Sequence, residues 1–272
     1  MITCLNLGYN GRFGNQIFQL ASLIGISDKL GFDFKIPISN INISKTQTTM
    51  DGKDFNAHFE LTDCFDIDSD IFTDDIIVKF NKKESHFHFD ESMFSISDFT
   101  NINGYFQTEK YFEHCKDKII SILKFKDTIL NLATSLLPKV NKELVSIHIR
   151  RGDYTTPNPY HPLNGIEYVD VAIDEFKDDY HFVVFSDDIK WCESIWGNNK
   201  NYTIFKSNSN HIDFCAMSLC NHNIISNSSF SWWSSYLNKN KNKKIIAPKK
   251  WFGDGLSQYI LKDLYTNKMI II

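Results

Sequence analysis

An α/β fold with mainly parallel sheets is predicted, on three observations. Through residues 143–247, apolar runs of strand length alternate with stretches of helical period, the pattern of a parallel sheet with helical crossovers. Near the N-terminus a turn with three glycines, Gly8, Gly11 and Gly14, joins an apolar run at residues 2–7 to apolar residues at helical spacing, Ile17, Leu20, Ala21 and Ile24. Three polar clusters, at residues 148–153, 186–188 and 227–231, fall at the carboxyl ends of predicted strands. That edge of an open α/β sheet is where ligands bind.

Composition sets the bounds. The chain has 272 residues, 42% of them hydrophobic and 23% charged, enough for one large domain or two of ordinary size. A net charge of −4 argues against general nucleic-acid binding, which needs a basic face, so any anion site must be local. The six cysteines form no C-x-x-C pair and show no zinc spacing. The first residues have no cationic region followed by an apolar run, and no apolar stretch approaches the roughly 20 residues of a membrane span. The expectation is a reduced, cytoplasmic protein without a transmembrane segment. Asn42, Asn201 and Asn227 open glycosylation sequons, read as chance matches in such a protein.

Taken in order, strands are expected at 2–7, 32–36, 76–80 and 102–106, with a helix over 117–137 ended by Pro138. His86 and His88 alternate as on one face of a strand, where ordinary strand residues outweigh a metal pair. The glycines at 8–14 fit a tight turn alone or a close backbone approach to a ligand, and Asn15 and Gln16 stand at the helix start that follows. In the second half, strands are expected at 145–149, 181–185, 202–205, 223–225 and 244–247. Asn164 is placed to cap a helix running to residue 176, and further helices cover 189 onward and 212–219. The turn 238–244 is basic and read as solvated.

The chemistry gathers at the strand ends. His148, Arg150, Arg151 and Asp153 surround Gly152, and paired guanidiniums suit a dianion such as a diphosphate. Asp187 and Asp188 offer carboxylates to a nucleobase or a ribose diol, with one of them free to cap the next helix instead. Asn227, Ser228 and Ser229 stand at a helix N-terminus, where hydroxyls and backbone N–H groups can meet an anion or simply cap.

Six stretches carry a resemblance: Gly11-Arg-Phe-Gly-Asn-Gln-Ile-Phe-Gln19, Gly104-Tyr-Phe-Gln-Thr-Glu-Lys-Tyr-Phe112, His148-Ile-Arg-Arg-Gly-Asp-Tyr154, Phe185-Ser-Asp-Asp188, Asn227-Ser-Ser-Phe-Ser-Trp-Trp233 and Ile246-Ala-Pro-Lys-Lys-Trp-Phe252. In this order they resemble the signatures of the bacterial α-1,2-fucosyltransferases of glycosyltransferase family 11. The resemblance implies a GT-B-type pair of Rossmann-like domains, an N-terminal acceptor-side domain over 1–140 and a C-terminal GDP-fucose-binding domain over 141–272. It implies inverting transfer of L-fucose from GDP-β-L-fucose, a co-substrate, to the 2-OH of a terminal β-galactoside, with no cofactor and no metal. The acceptor would be a galactose-terminated glycan, free or lipid-linked, the latter holding the protein at the inner membrane. Arg150 matches the arginine that grips the β-phosphate. His148 and one of Asp187 or Asp188 match the guanosine end, and Ser228 and Ser229, beside Asn227, match phosphate contacts. Asn15, with Gln16 beside it, matches an amide near the transferred sugar and acceptor. The general base stays unassigned, and Asp153 is the nearest candidate carboxylate in the sequence.

Overall fold

Residues 1–48, 52, 54–155, 159–176 and 179–272 are described in the computed structural model. They fall into two units, Met1–Phe125 with Gln258–Thr266, and Lys126–Ser257 with Asn267–Ile272.

The first unit contains β1 (Ile2–Thr3), α1 (Phe13–Leu30), β2 (Phe34–Pro37), β3 (Ser44–Thr48), β4 (Asp54–His58), α2 (Leu61–Cys64), β5 (Phe72–Thr73), β6 (Phe80–Lys83), β7 (Thr100–Asn103) and α3 (Lys116–Ile122). Five strands pair in parallel in the order β5-β2-β1-β7-β6, and β3 and β4 form a separate antiparallel pair. Its core is built on α1, which is buried from Phe13 to Ser27 except at Asn15, as befits a helix that is apolar nearly all round. Gly31 ends it in the left-handed conformation, φ 68°, with its N–H turned back to the last turn. Gly25 lets α1 approach the chain at Tyr111, whose carbonyl oxygen would lie 2.1 Å from a Cβ at that position.

The second unit contains α4 (Asp127–Leu136), β8 (Glu143–Ile149), α5 (Ile166–Asp174), β9 (Tyr180–Ser186), α6 (Ile189–Trp196), β10 (Tyr202–Ile204), α7 (Asn210–Leu219), β11 (His222–Ile224), α8 (Ser229–Leu237), β12 (Ile245–Ala247) and β13 (Met269–Ile271). All six strands are parallel, in the order β10-β9-β8-β11-β12-β13. Numbered within the unit this is 3-2-1-4-5-6, the doubly wound Rossmann order, whose switch point lies between its first and fourth strands. Here those strands are β8 and β11.

Several expectations shift. The strand expected at 76–80 begins at Phe80, because Phe80 pairs with Thr100 and the register runs on to Lys83 and Asn103. The one expected at 102–106 therefore ends at Asn103, and Phe106 leaves the sheet with φ 52°. His86 and His88 lie beyond β6 in a bend, with their rings stacked at 4.5 Å. The single helix expected over 117–137 is two helices. Between them Phe125 bridges back to Phe65, with ring centroids 5.3 Å apart. The chain passes from the first unit to the second in that break, ahead of the expected 140, because α4 packs on α7. A C-terminal piece, Gln258–Thr266, returns to the first unit, and β13 adds a strand beyond the one expected to be last.

Candidate functional site

The polar turn after β8 is assembled around one carboxylate. Asp187, just past the end of β9, accepts the backbone N–H groups of Arg151 at 2.8 Å and Gly152 at 3.0 Å through Oδ1. Its Oδ2 takes Arg150 Nη1 at 2.8 Å. A Cβ at residue 152 would stand 2.8 Å from that same Oδ2, so glycine is what admits the carboxylate to the turn. Burial works against the charge of Asp187, but Arg150 and the two amides prevail and hold it below the usual carboxylate range. Asp188 has a different task. Its Oδ1 caps α6 by accepting Trp191 N at 3.2 Å, and its Oδ2 pairs with Arg151 Nε at 3.1 Å. The Arg151 guanidinium also lies 4.0 Å from the centre of the Trp191 ring, a cation–π contact.

The two arginines therefore separate as far as their partners go. Arg150 is held at the turn and Arg151 is folded onto α6. Arg151 has its carboxylate partner in Asp188; the side chain of Asp153 lies outside the described residues. Asp187 has three of its roughly four acceptor positions filled, whereas Asp188 keeps one on each oxygen.

His148, one residue before the end of β8, is buried, with Nδ1 2.8 Å from Ser226 Oγ and its ring 5.5 Å from that of Phe230. Burial pushes its pKa down against the pull of Asp187, and Arg150 adds to the depression, so the ring is neutral at neutral pH. Ser226, a buried partner two residues past β11, has no signal in the sequence, where it is a lone serine before a sequon.

Asn227 departs from its expected place among ligand contacts. Its Nδ2 donates to the carbonyls of Pro162 and Trp251, each at 3.0 Å, and its Oδ1 accepts from Asn164 Nδ2 at 2.8 Å. It is a tie between three loops and is 3% exposed, which also closes it to glycosylation. Asn164 correspondingly does not cap α5, whose N-cap is Gly165. Ser228 caps α8, accepting Phe230 N at 3.3 Å, and Ser229 is the first helical residue. Trp232 and Trp233 are both fully buried.

In the first unit the Gly-rich turn leads from β1 into α1. Gln16 is fully buried, donating to His58 O at 2.8 Å and accepting Glu60 N at 2.9 Å. It fastens α1 to the segment after β4 and is not placed to meet a ligand. Asn15 is half-buried, and its Oδ1 accepts Gln107 Nε2 at 2.7 Å. A Cβ at Gly11, where φ is 82°, would come within 2.4 Å of Asn15 Nδ2, so that glycine serves the asparagine as well as the turn. Glu60 replaces a side-chain cap by accepting Phe13 N at 3.0 Å. Glu84, after β6, accepts the N–H groups of Tyr105 and Phe106 and the Tyr111 hydroxyl at 3.0–3.1 Å. Burial drives its pKa up to about 7, with those bonds opposing. Among the described residues one trio of possible metal ligands converges, Asp28, His114 and Cys115, and there Lys118 already occupies Asp28 at 2.8 Å.

No helix among the described residues is long and apolar enough to cross a membrane. The family model "Glycosyl transferase family 11" matches residues 2–265. The chain is 34% identical over 179 residues to the O-antigen biosynthesis glycosyltransferase WbnK of Escherichia coli, covering 60% of this chain and 59% of that one. It is 35% identical over 162 residues to an alpha-1,2-colitosyltransferase of Escherichia coli, covering 55% of each. To galactoside alpha-(1,2)-fucosyltransferase 1 of Lagothrix lagotricha it is 24% identical over 250 residues, covering 84% of this chain and 63% of the other. The matches thus span less than two thirds of each relative's length. Among solved structures, POFUT1 in complex with GDP aligns with a TM-score of 0.48 at 10% identity, covering 90% of this chain and 98% of that one. The fucosyltransferase NodZ from Bradyrhizobium aligns at 0.44 and 11%, covering 86% and 90%.

Proposed function

The chain belongs to glycosyl transferase family 11, and from that premise we propose that it transfers L-fucose from GDP-β-L-fucose to the 2-OH of a terminal β-galactoside, with inversion and without a metal. The observation that carries the reading is the turn after β8, where Arg150 is fixed by Asp187 at the carboxyl edge beside the switch point. In the reaction the bond between C1 of the sugar and the β-phosphate oxygen breaks while the acceptor hydroxyl attacks from the opposite face and gives up its proton. Negative charge grows on the departing GDP, and donors already fixed in place stabilise it best. Arg150 and the N–H groups at the start of α8 are those donors. Neutral His148 and the spare acceptor positions of Asp188 serve the guanosine end. Asn15, aligned by Gln107, is the residue that the family resemblance assigns to the sugar and acceptor, and Asp153 is the candidate for accepting the proton.

A second reading follows from the relative that transfers colitose: the same site with a colitosyl donor. Donor turnover separates the two. The chain is incubated with lactose and with GDP-fucose, GDP-mannose or a colitosyl donor, and the product linkage is determined by NMR. The proposal expects fucose in α-1,2 linkage, with GDP-mannose inert; preferential use of the colitosyl donor would replace it with the second reading.

A further inference from the structure

We propose that the amino edge of the second unit's sheet is a docking surface for an anionic phospholipid bilayer. The six strands run in parallel, so every loop that enters a strand lies at one edge, opposite the edge carrying Arg150 and Asp187. Those entering loops are rich in lysine: Lys139 and Lys142 before β8, Lys239, Lys241 and Lys244 before β12, and Lys268 before β13. The described carboxylates at this edge are Glu143, Asp174, Glu175 and Asp179, fewer than the six lysines, and Glu143 already faces His222 Nε2 at 3.2 Å. A chain of net charge −4 thus gathers positive charge on the face away from its candidate site.

The loops hold a defined shape. Asn221, which leads into β11, accepts Leu144 N at 2.8 Å through Oδ1 and Asn240 Nδ2 at 2.9 Å through its carbonyl. Lys243 is spent on structure, donating to the carbonyls of Ser235, Tyr236 and Asn238 at 2.6–3.2 Å at the end of α8. That anchoring leaves Lys239 and Lys241 exposed on the turn, and Lys139 is exposed on its own loop. None of these three forms an ion pair among the described residues.

Apolar side chains stand at the same edge. Leu132 and Leu136 are 44% and 42% exposed, one turn apart on α4, and Val140 beyond them is 41% exposed. Leu219, 39% exposed, ends α7, on which α4 packs. The chain leaves α4 for the start of β8 and leaves α7 for the start of β11, so both helix ends share this edge. Single exposed leucines are ordinary, but a polyanion in water would use the lysines and leave these four uncovered. A bilayer uses both, with ammonium groups at the phosphates and apolar side chains below them. This surface does not depend on which sugar nucleotide the opposite edge takes.

The test is co-sedimentation of the full chain with phosphatidylcholine vesicles, with and without phosphatidylglycerol, at low and high salt. The wild type should bind only the phosphatidylglycerol vesicles and release in high salt. The set Lys139→Glu, Lys142→Glu, Lys239→Glu, Lys241→Glu should lower partitioning by about a hundredfold or more, at about fivefold per lysine. Leu132→Ser with Leu136→Ser should weaken it at unchanged charge. Both sets should keep wild-type turnover of a soluble acceptor, and a lysine-to-glutamine set repeats the measurement should the glutamate set misfold. Binding indifferent to phosphatidylglycerol, binding to RNA but not to vesicles, or full binding by either variant set overturns the proposal.

Discussion

Asp187 decides what Arg150 can do. Its carboxylate fixes the guanidinium and the two amides of the turn at once, so Asp187→Asn keeps an acceptor for the amides but removes the charge that faces Arg150. Because the two side chains are 23% and 28% exposed, the pair contributes about 1 kcal/mol of stability or less. The larger effect falls on turnover: kcat/KM for the sugar nucleotide drops at least about tenfold once the guanidinium loses its position. Urea unfolding and steady-state kinetics on the same variant separate the two effects. His148 makes a prediction in pH. The folded ring stays neutral where the unfolded one, with its ordinary value of 6.5, takes up a proton. Stability therefore falls as pH is lowered below 6.5, at up to about 1.4 kcal/mol per pH unit, and His148→Gln removes that slope. Urea unfolding of both proteins between neutral pH and pH 5 measures the difference. His148, Arg150, Asp187 and Asp188 were legible in the sequence because charged and imidazole groups crowd the ends of apolar runs. Gln16 and Asn227 were not, since an amide's role is set by partners such as His58, Glu60, Pro162 and Trp251, far off along the chain.

At the scale of elements, the two sheets differ in how plainly the sequence shows them. In the second unit β8, β9, β11 and β12 are buried along most of their length, and β9 and β12 read as nearly continuous apolar runs, as central parallel strands do. In the first unit β1 and β5 have two residues each, and Ser44–Thr48 contains no apolar residue. The apolar run at 2–7 announces β1 but not its end after Thr3, and β3 and β5 rest on pairing, which periodicity does not reveal. The break between α3 and α4 was hidden for a similar reason: the apolar spacing carries through it, and the bridge from Phe125 to Phe65 is a long-range contact. Gly25 is the element-scale test. Inside a helix the change to alanine ordinarily stabilises, by up to about 1 kcal/mol. Here the new Cβ would lie 2.1 Å from the Tyr111 carbonyl oxygen and 2.7 Å from Phe112 Cα, so Gly25→Ala should cost about 3 kcal/mol or more by overpacking. Chemical denaturation gives the sign directly.

Over the whole molecule the two units share one device, a polar turn following the first strand of each parallel sheet. In the first unit that turn delivers Asn15, with Gln107 coming from the segment after the neighbouring β7. In the second it delivers Arg150, with Asp187 coming from the end of the neighbouring β9. The sequence motifs were visible as separate blocks, and strand order is what sets their members side by side. If the donor diphosphate sits at the second turn, one side chain carries most of the charge that meets it. Losing a charge-assisted contact to a transition-state oxygen removes about 3 kcal/mol or more, about a hundredfold in rate. The deciding measurement is therefore kcat/KM of Arg150→Ala with GDP-fucose and a galactoside acceptor, alongside its unfolding midpoint. The expected result is a loss of at least about a hundredfold in a chain that unfolds as the wild type does; near-normal turnover in that well-folded variant would contradict the account.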